Sequence, residues 1–183
     1  MQGSPDVAVL RLGHRPGRDE RTTTHVGLTA RALGADRVVL AGHGASRAET
    51  VRDITDRFGG PFAVETTDAP MGWLGDREGR VVHLTMYGLP IQDVEDEIRS
   101  AHDSGTPLAV VVGAEKVPFD VYERADWNVA VTNQPHSEIA SLAVFLDRLF
   151  EGRELDREWV DAERTVVPQE TGKRVEERSD QGE

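Results

Sequence analysis

Residues 129–150 read VAVTNQPHSEIASLAVFLDRLF, and this stretch decides the fold. Trp127 to Val131 predicts a short apolar strand, and Thr132 to Ser137 predicts a polar turn. The residues after the turn place apolar side chains on one face at helical spacing, so they predict a helix in the core or at a subunit contact. Since α/β sheets hold ligands where strands end and helices begin, we expect a binding site at this turn.

The chain before this stretch alternates strands with helices. The apolar runs predict strands at Val7 to Leu12, Arg37 to Ala41, Phe62 to Thr66, Arg80 to Thr85 and Pro107 to Val112. Helical patterns fill most of the intervals, and such alternation at short spacing is typical of parallel βαβ units. The sequence therefore predicts an α/β domain with a three-layer, mostly parallel sheet.

Two local features set expectations for the intervals between strands. Residues 13–24, GHRPGRDERTTT, predict a polar loop that ends before a helix through Val26. Ser46 and Glu49 have the spacing of a capping box, which predicts that Ser46 caps the start of the next helix.

The chain length suits one α/β domain. At 183 residues the chain can bury a full core, and beyond Phe150 the pattern becomes charged. We expect a domain over 1–150 and a C-terminal extension over 151–183, with a possible β-hairpin and then a disordered acidic tail. The absence of cysteine, of a signal-like start and of a long apolar run predicts a soluble cytoplasmic protein.

The charge balance is strongly acidic. The formal net charge is −12, and Lys116 and Lys173 are the only lysines. Acidic excess with scarce lysine favours adaptation to concentrated salt, with an ordinary acidic protein as the alternative. An acidic chain normally argues against nucleic-acid binding. In molar salt, however, counterion release contributes less to the affinity for nucleic acid, so the net charge does not exclude an RNA substrate.

The charge reverses locally between residues 11 and 31. This segment contains five arginines and two carboxylates. Arginine binds phosphate through two parallel hydrogen bonds, so the cluster favours a phosphate-binding loop; pairing with surface carboxylates is the alternative.

Two turns are candidates for binding a polar ligand. Gly113 to Pro118, GAEKVP, follows the most apolar strand, and Thr132 to Ser137, TNQPHS, supplies amides and hydroxyls suited to an adenine edge and a ribose. His83, in the middle of a strand, is interpreted as a core histidine. The six histidines show no metal-ligand spacing, and neither GxGxxG nor GxxxxGK[ST] occurs, so no metal site and no classical dinucleotide site is expected.

Four stretches together resemble a known family. They are VLRLGHRPGRDERTTTHVGLTARALGAD, VHLTMYGLP, VVVGAEKVP and NVAVTNQPHSEIASLAVFLDRL, and they span residues 7–150. They resemble the archaeal tRNA cytidine-56 2′-O-ribose methyltransferases of the SPOUT superfamily. The resemblance implies a C-terminal deep trefoil knot, S-adenosylmethionine as cofactor, tRNA as substrate, and a homodimer without a membrane or metal partner.

The resemblance also implies which residues bind the cofactor and which act on the ribose. The cofactor-binding residues are Leu84, Tyr87, Gly88, Gly113, Ala114, Glu115, Lys116, Val117, Thr132, Asn133, Gln134, Pro135, His136 and Ser137. Related ribose methyltransferases use an arginine of the first loop, so Arg21, then Arg15 and Arg18, are the catalytic candidates, with His136 as the rival base. A non-catalytic RNA-binding or assembly dimer of the same fold is the alternative function.

Overall fold

A six-stranded sheet forms the centre of the molecule. The computed structural model describes residues 5–13, 15, 17–113 and 116–178. The sheet strands are β1 (Val7–Leu12), β2 (Arg37–Ala41), β3 (Ala63–Thr67), β4 (Arg80–Pro90), β5 (Leu108–Gly113) and β6 (Trp127–Ala130). Every neighbouring pair is parallel, in the order β3-β2-β1-β5-β4-β6. The prediction of an α/β fold with a mostly parallel sheet is confirmed.

Helices cover both faces of the sheet. They are α1 (Glu20–Ala32), α2 (Ala48–Phe58), α3 (Pro70–Asp76), α4 (Ile91–Asp103), α5 (Phe119–Arg124) and α6 (Glu138–Phe150). Successive residues of a strand point to opposite faces, and Val9 and Leu10 of β1 accordingly belong to two separate apolar clusters. The first cluster packs under α1, α2, α4 and α6, and the second packs under α3 and α5. The molecule therefore has three layers.

Two helix starts differ from the sequence prediction. The first helix begins at Glu20, so the polar loop is shorter than predicted, and we call residues 13–19 the basic loop. The prediction of a capping box at Ser46 is wrong, because residues Gly42–Arg47 already form a 3₁₀ helix and α2 begins at Ala48. Within that turn the Ser46 hydroxyl donates to the carbonyl of His43, so it does not cap the helix.

The pairing of β4 with β6 is interrupted. It breaks after Leu84 and resumes at Leu89. We call residues 85–88 the β4 excursion. A Cβ atom added to Gly88 would lie 2.4 Å from the Asn128 carbonyl oxygen, so only glycine allows this close approach of two backbones. The excursion leaves a gap in the pairing of β4 with β6.

The C-terminal extension begins by packing on the body of the fold. A 3₁₀ helix covers Arg153–Asp156, and the guanidinium of Arg157 donates to the carbonyls of Ala35 and Pro61 at 3.1 and 2.7 Å. The Trp159 ring lies 4.0 Å from the Arg31 guanidinium carbon and 4.9 Å from that of Arg157. The chain then forms an antiparallel hairpin of β7 (Arg164–Val167) and β8 (Arg174–Glu177). The predicted tail beyond residue 178 lies outside the described residues.

No helix in the described part of the chain is both long and apolar enough to cross a membrane.

Candidate functional site

A cavity of about 480 Å³ lies beside the β4 excursion, at the end of β5 and the start of α6. It includes part of each of three turns: the β4 excursion, the turn after β5, and the turn over residues 131–137, which we call the α6 turn. Parallel strands deliver their carboxyl ends to one edge of the sheet, which explains why distant segments meet here. The lining residues are His83, Leu84, Thr85, Met86, Tyr87, Gly113, Lys116, Val117, Tyr122, His136, Glu138 and Ser141.

The cavity contains some of the sequence-predicted cofactor residues. Those in the lining are Leu84, Tyr87, Gly113, Lys116, Val117 and His136. Gly88, Thr132, Asn133, Gln134, Pro135 and Ser137 belong to the same turns but are not among the lining residues. Ala114 and Glu115 lie outside the described residues.

Hydrogen bonds of the α6 turn fix its position. The side-chain amide of Asn133 donates to the carbonyls of Met86 and Gly88, at 2.8 and 3.1 Å, and so joins the turn to the β4 excursion. The Ser137 hydroxyl accepts from the backbone N–H of Ala140 at 3.1 Å and caps α6. His136 contacts the carbonyl of Ser137 through Nδ1 at 3.2 Å, while its Nε2 atom is buried and has no partner among the described residues.

A buried histidine forms one wall of the cavity. His83 Nδ1 lies 2.9 Å from Asn128 Oδ1, and its ring packs edge-on against Tyr122 with centroids 4.5 Å apart. Burial lowers the pKa of His83, and the hydrogen bond with Asn128 offsets this only in part. The ring is therefore neutral near pH 7. The interpretation of His83 as a core histidine is correct, although its side chain also borders the cavity.

A buried ion pair places one carboxylate, that of Glu138, in the cavity lining, and sequence reasoning missed it. The Arg11 side chain in β1 is 1% exposed, and its guanidinium donates to Glu138 Oε1 at 2.9 Å and to the carbonyl of Gly13. The other oxygen of Glu138 is buried without a hydrogen-bond partner among the described residues. Burial raises the pKa of Glu138, and Arg11 offsets this only in part. The one signal in the sequence was an arginine inside an otherwise apolar strand.

The arginines of residues 11–31 separate into different environments. Arg11 and Arg31 are buried, whereas Arg18 and Arg21 are exposed. Arg15 binds the Asp19 carboxylate through its backbone N–H at 2.8 Å and its guanidinium at 3.1 Å. These contacts hold the pKa of Asp19 down to about 2, with the side-chain hydrogen bond as the largest cause. Only part of the predicted phosphate-binding cluster therefore faces solvent.

The described residues contain no group of three or more His, Cys, Asp or Glu side chains arranged as metal ligands.

Solved structures with the same fold include enzymes of the SpoU class. The SpoU methyltransferase AviRb from Streptomyces viridochromogenes, solved with AdoMet, superposes with a TM-score of 0.58 at 19% identity, covering 82% of this chain and 59% of that one. This chain thus spans under two thirds of that structure. The TrmH/SpoU tRNA modifying enzyme of A. aeolicus gives 0.55 at 14% identity, with 82% and 76% covered. At such identities the likeness establishes the fold, which is that of the SpoU-class methyltransferases.

Sequence relatives narrow the class to one family. A tRNA (cytidine(56)-2′-O)-methyltransferase of Haloarcula marismortui is 73% identical over 175 residues, 96% of this chain and 97% of that protein. The protein of the same name from Thermococcus kodakarensis is 54% identical over 172 residues, 92% and 96% of the two chains. Residues 58–176 match the family described as tRNA ribose 2′-O-methyltransferase, aTrm56. The chain belongs to this family, which confirms the resemblance found in the sequence.

Proposed function

We propose that this protein transfers a methyl group from S-adenosylmethionine to the ribose 2′-hydroxyl of cytidine 56 in the T-loop of tRNA. The observation that carries the proposal is the family membership, with 73% identity over nearly the full length of a relative of that name. The relatives include proteins from halophilic archaea, in keeping with the acidic composition of this chain. A tRNA substrate favours a cytoplasmic location.

The cavity suits the cofactor. A volume of about 480 Å³ lies within the range of roughly 300–1,000 Å³ that is usual for cofactor sites. Its wall combines apolar side chains with a few polar groups, among them the buried Nε2 of His136, which has no partner in the part of the chain that the structure describes. We infer that the lining residues of the three turns contact the cofactor, and that Asn133 and Gly88 act by holding two of those turns together.

When bound, S-adenosylmethionine supplies a methyl group already activated on a sulfonium. The chain therefore has to align the ribose hydroxyl with that methyl group and remove a proton. Arg18 and Arg21 are exposed at the basic loop and the start of α1, where they are available to bind tRNA phosphate or ribose. Arg15, engaged by Asp19, fixes the shape of the loop. His136 stays a candidate for contact with the ribose, because it lines the cavity.

We propose that the C-terminal part of the fold forms the trefoil knot implied by the family resemblance. In support, β5 lies between β1 and β4, while β6 pairs with the far edge of β4. The chain must then return across the ends of these strands, because Glu138 at the start of α6 binds Arg11 of β1. The α6 turn contacts the β4 excursion on this path.

We also propose a homodimer, as the resemblance implies. Three large apolar side chains are exposed: Tyr87, which lines the cavity, is 76% exposed, Leu89 is 62% exposed, and Phe119, which stacks on the lining residue Tyr122, is 70% exposed. Such a group favours burial against a second chain. The alternative function, a non-catalytic RNA-binding dimer, uses the same surface.

The test is to incubate the protein in molar KCl with unmodified archaeal tRNA and S-adenosylmethionine carrying a labelled methyl group, and then to map the label. We expect one methyl group at the ribose of cytidine 56. A matched tRNA with 2′-deoxycytidine at position 56 should accept none. Folded protein that binds no S-adenosylmethionine by calorimetry and transfers no label would favour the non-catalytic alternative. Label at another nucleotide would contradict the proposed site of methylation.

A further inference from the structure

We propose that Glu138 is the group that accepts the proton of the ribose 2′-hydroxyl, with Arg11 as the residue that positions its carboxylate. This inference rests on the proposed methyl transfer and adds a residue to it. It depends on three observations: the place of Glu138 in the cavity, its free oxygen, and the link from Arg11 to the basic loop.

Glu138 lies where the cofactor cavity meets the basic loop. Its side chain lines the cavity. The guanidinium of Arg11 binds Glu138 through Nη2 and the carbonyl of Gly13, the first residue of the basic loop, through Nη1. One buried side chain thus joins the cavity wall to the basic loop, which carries Arg18 and leads into α1 with Arg21. A ribose held by that loop next to the cofactor has to reach this point.

The carboxylate of Glu138 has an oxygen available for a proton. Arg11 occupies Oε1, whereas Oε2 has no hydrogen-bond partner among the described residues and is shielded from solvent. A buried polar atom without a partner costs free energy, and a catalytic role is one of the explanations for such an atom in a native protein. The pair with Arg11 fixes the carboxylate, so Oε2 is held in one place.

The chemistry fits a carboxylate in this environment. Burial raises the pKa of Glu138, which makes it a stronger base than a carboxylate in water. The ribose 2′-oxygen bonds to the methyl carbon while the carbon–sulfur bond breaks and leaves its electron pair on sulfur. Glu138 Oε2 takes the hydroxyl proton and later releases it to water, so atoms and charge balance.

Other charged groups surround Glu138 and bear on any pH dependence. Arg11 and Arg15 favour its ionised form, and Asp19 opposes it. His83, Lys116 and His136 line the same cavity. The test must therefore separate Glu138 from these groups by substitution.

The experiment compares Glu138→Gln with the wild-type protein in single-turnover methyl transfer to tRNA, over a range of pH. We expect a fall in rate of about 10²- to 10⁴-fold, with the affinity for S-adenosylmethionine by calorimetry changed less than threefold. The wild-type rate should fall on acidification as the carboxylate is protonated, and this acid limb should be absent in Glu138→Gln. Glu97→Gln, the same chemical change at an exposed position of α4, is the matched control and should keep the wild-type rate and profile.

Several results would overturn the inference. An unchanged rate in Glu138→Gln would do so, as would a loss explained entirely by weaker cofactor binding or an acid limb that persists in Glu138→Gln but disappears in His136→Gln. If Glu138→Gln leaves the Arg11 charge unbalanced and does not fold, the double variant Arg11→Gln, Glu138→Gln replaces it, and wild-type activity there counts against the proposal. A wild-type profile without an acid limb, while circular dichroism shows folded protein, also overturns it. Failure of the wild-type protein to methylate tRNA at all would instead contradict the proposed function.

Discussion

The side-chain amide of Asn133 lies 2.8 Å from the carbonyl oxygen of Met86 and joins two segments of the site that are far apart in sequence. It also donates to the carbonyl of Gly88, so one amide group binds two carbonyls of the β4 excursion. Neither carbonyl belongs to a regular strand pairing, because the excursion interrupts β4 at this point. The shape of the cavity therefore depends on this contact.

We predict that Asn133→Ala weakens cofactor binding without unfolding the protein. The two lost hydrogen bonds are exposed, so the free energy of unfolding should fall by only about 1–2 kcal/mol. The affinity for S-adenosylmethionine should fall by roughly 3- to 30-fold, because part of the binding energy must reorder the turns. Calorimetry and thermal unfolding measure the two effects. Gln92→Ala, an exposed amide on α4, should change neither, and equal affinities in the two variants would contradict the role of Asn133.

We predict that Gly88→Ala disrupts the same region more severely. The new Cβ would lie about 2.5 Å from backbone atoms of Asn128 and Val129, and neither strand can retreat without breaking its pairing. A loss of roughly 2–4 kcal/mol in the free energy of unfolding is expected, as for other strained substitutions.

Gly72→Ala provides the comparison for Gly88→Ala. Gly72 lies in α3, where an added Cβ would only touch Ala69 at 3.8 Å. Alanine should be neutral there or stabilise the helix by up to about 1 kcal/mol. Denaturant unfolding of both variants is the measurement. Similar stabilities for the two would show that the β4 excursion has more freedom than its geometry indicates.

Several parts of this architecture were predictable from local sequence patterns, and others were not. Runs that are apolar except for Arg11 and Arg37 placed β1 and β2 at the observed residues, since the strands of a buried parallel sheet are nearly continuous in apolar residues. The start of α1 was missed because its first turn, from Glu20 to Thr23, is polar on the sequence. Thr23 is nevertheless buried. Its burial results from the packing of α1 in the fold, and no local sequence pattern indicates it.

In the candidate site, too, local features were predictable from the sequence, whereas contacts between distant segments were not. The turns after β5 and β6 were identifiable because polar residues follow directly on apolar strands. The pairing of Arg11 with Glu138 was not identifiable, because the two residues are far apart in the sequence and no local pattern indicates that they meet. The assignment of individual catalytic and cofactor-binding residues stays a prediction.

We predict that Asp19 stabilises the fold above about pH 4. Its pKa in the folded protein is about 2, below the ordinary value of 3.8, because Arg15 binds the ionised carboxylate. A depressed pKa means that the folded state favours the charged form, so the stabilisation is complete above the unfolded pKa and is lost as the pH falls from about 4 towards 2. Asp19→Asn should therefore lower Tm by a few degrees at pH 7, and the difference from wild type should shrink below pH 4.

The measurement for Asp19 is thermal unfolding of both proteins at fixed KCl concentration, because salt alone shifts the stability of so acidic a chain. Asp120→Asn changes an exposed carboxylate in α5 and serves as the control. Its Tm should match that of wild type both at pH 7 and below pH 4. A difference between Asp19→Asn and wild type that grows on acidification would refute the assignment.

We predict that Trp159→Ala destabilises the protein although it lies in the C-terminal extension. Its ring covers the guanidinium groups of Arg31 and Arg157, and Arg31 is itself buried. Loss of two cation–π contacts and of apolar area should reduce the free energy of unfolding by roughly 2–4 kcal/mol. Leu155→Ala removes a side chain that is 68% exposed and should cost less than about 0.5 kcal/mol. Equal stability of the two variants, measured by urea unfolding, would show that the extension is not part of the folded unit.

The pairing of β1 with β5 has a consequence for synthesis in the cell. Val7 lies beside Leu108, so the first strand to leave the ribosome waits for more than half of the chain before its second neighbour exists. Contacts this distant in sequence slow folding, because a long loop must close before they form. During translation the nascent polypeptide therefore exposes an unpaired apolar strand edge, and we expect chaperone capacity to limit the yield of recombinant protein.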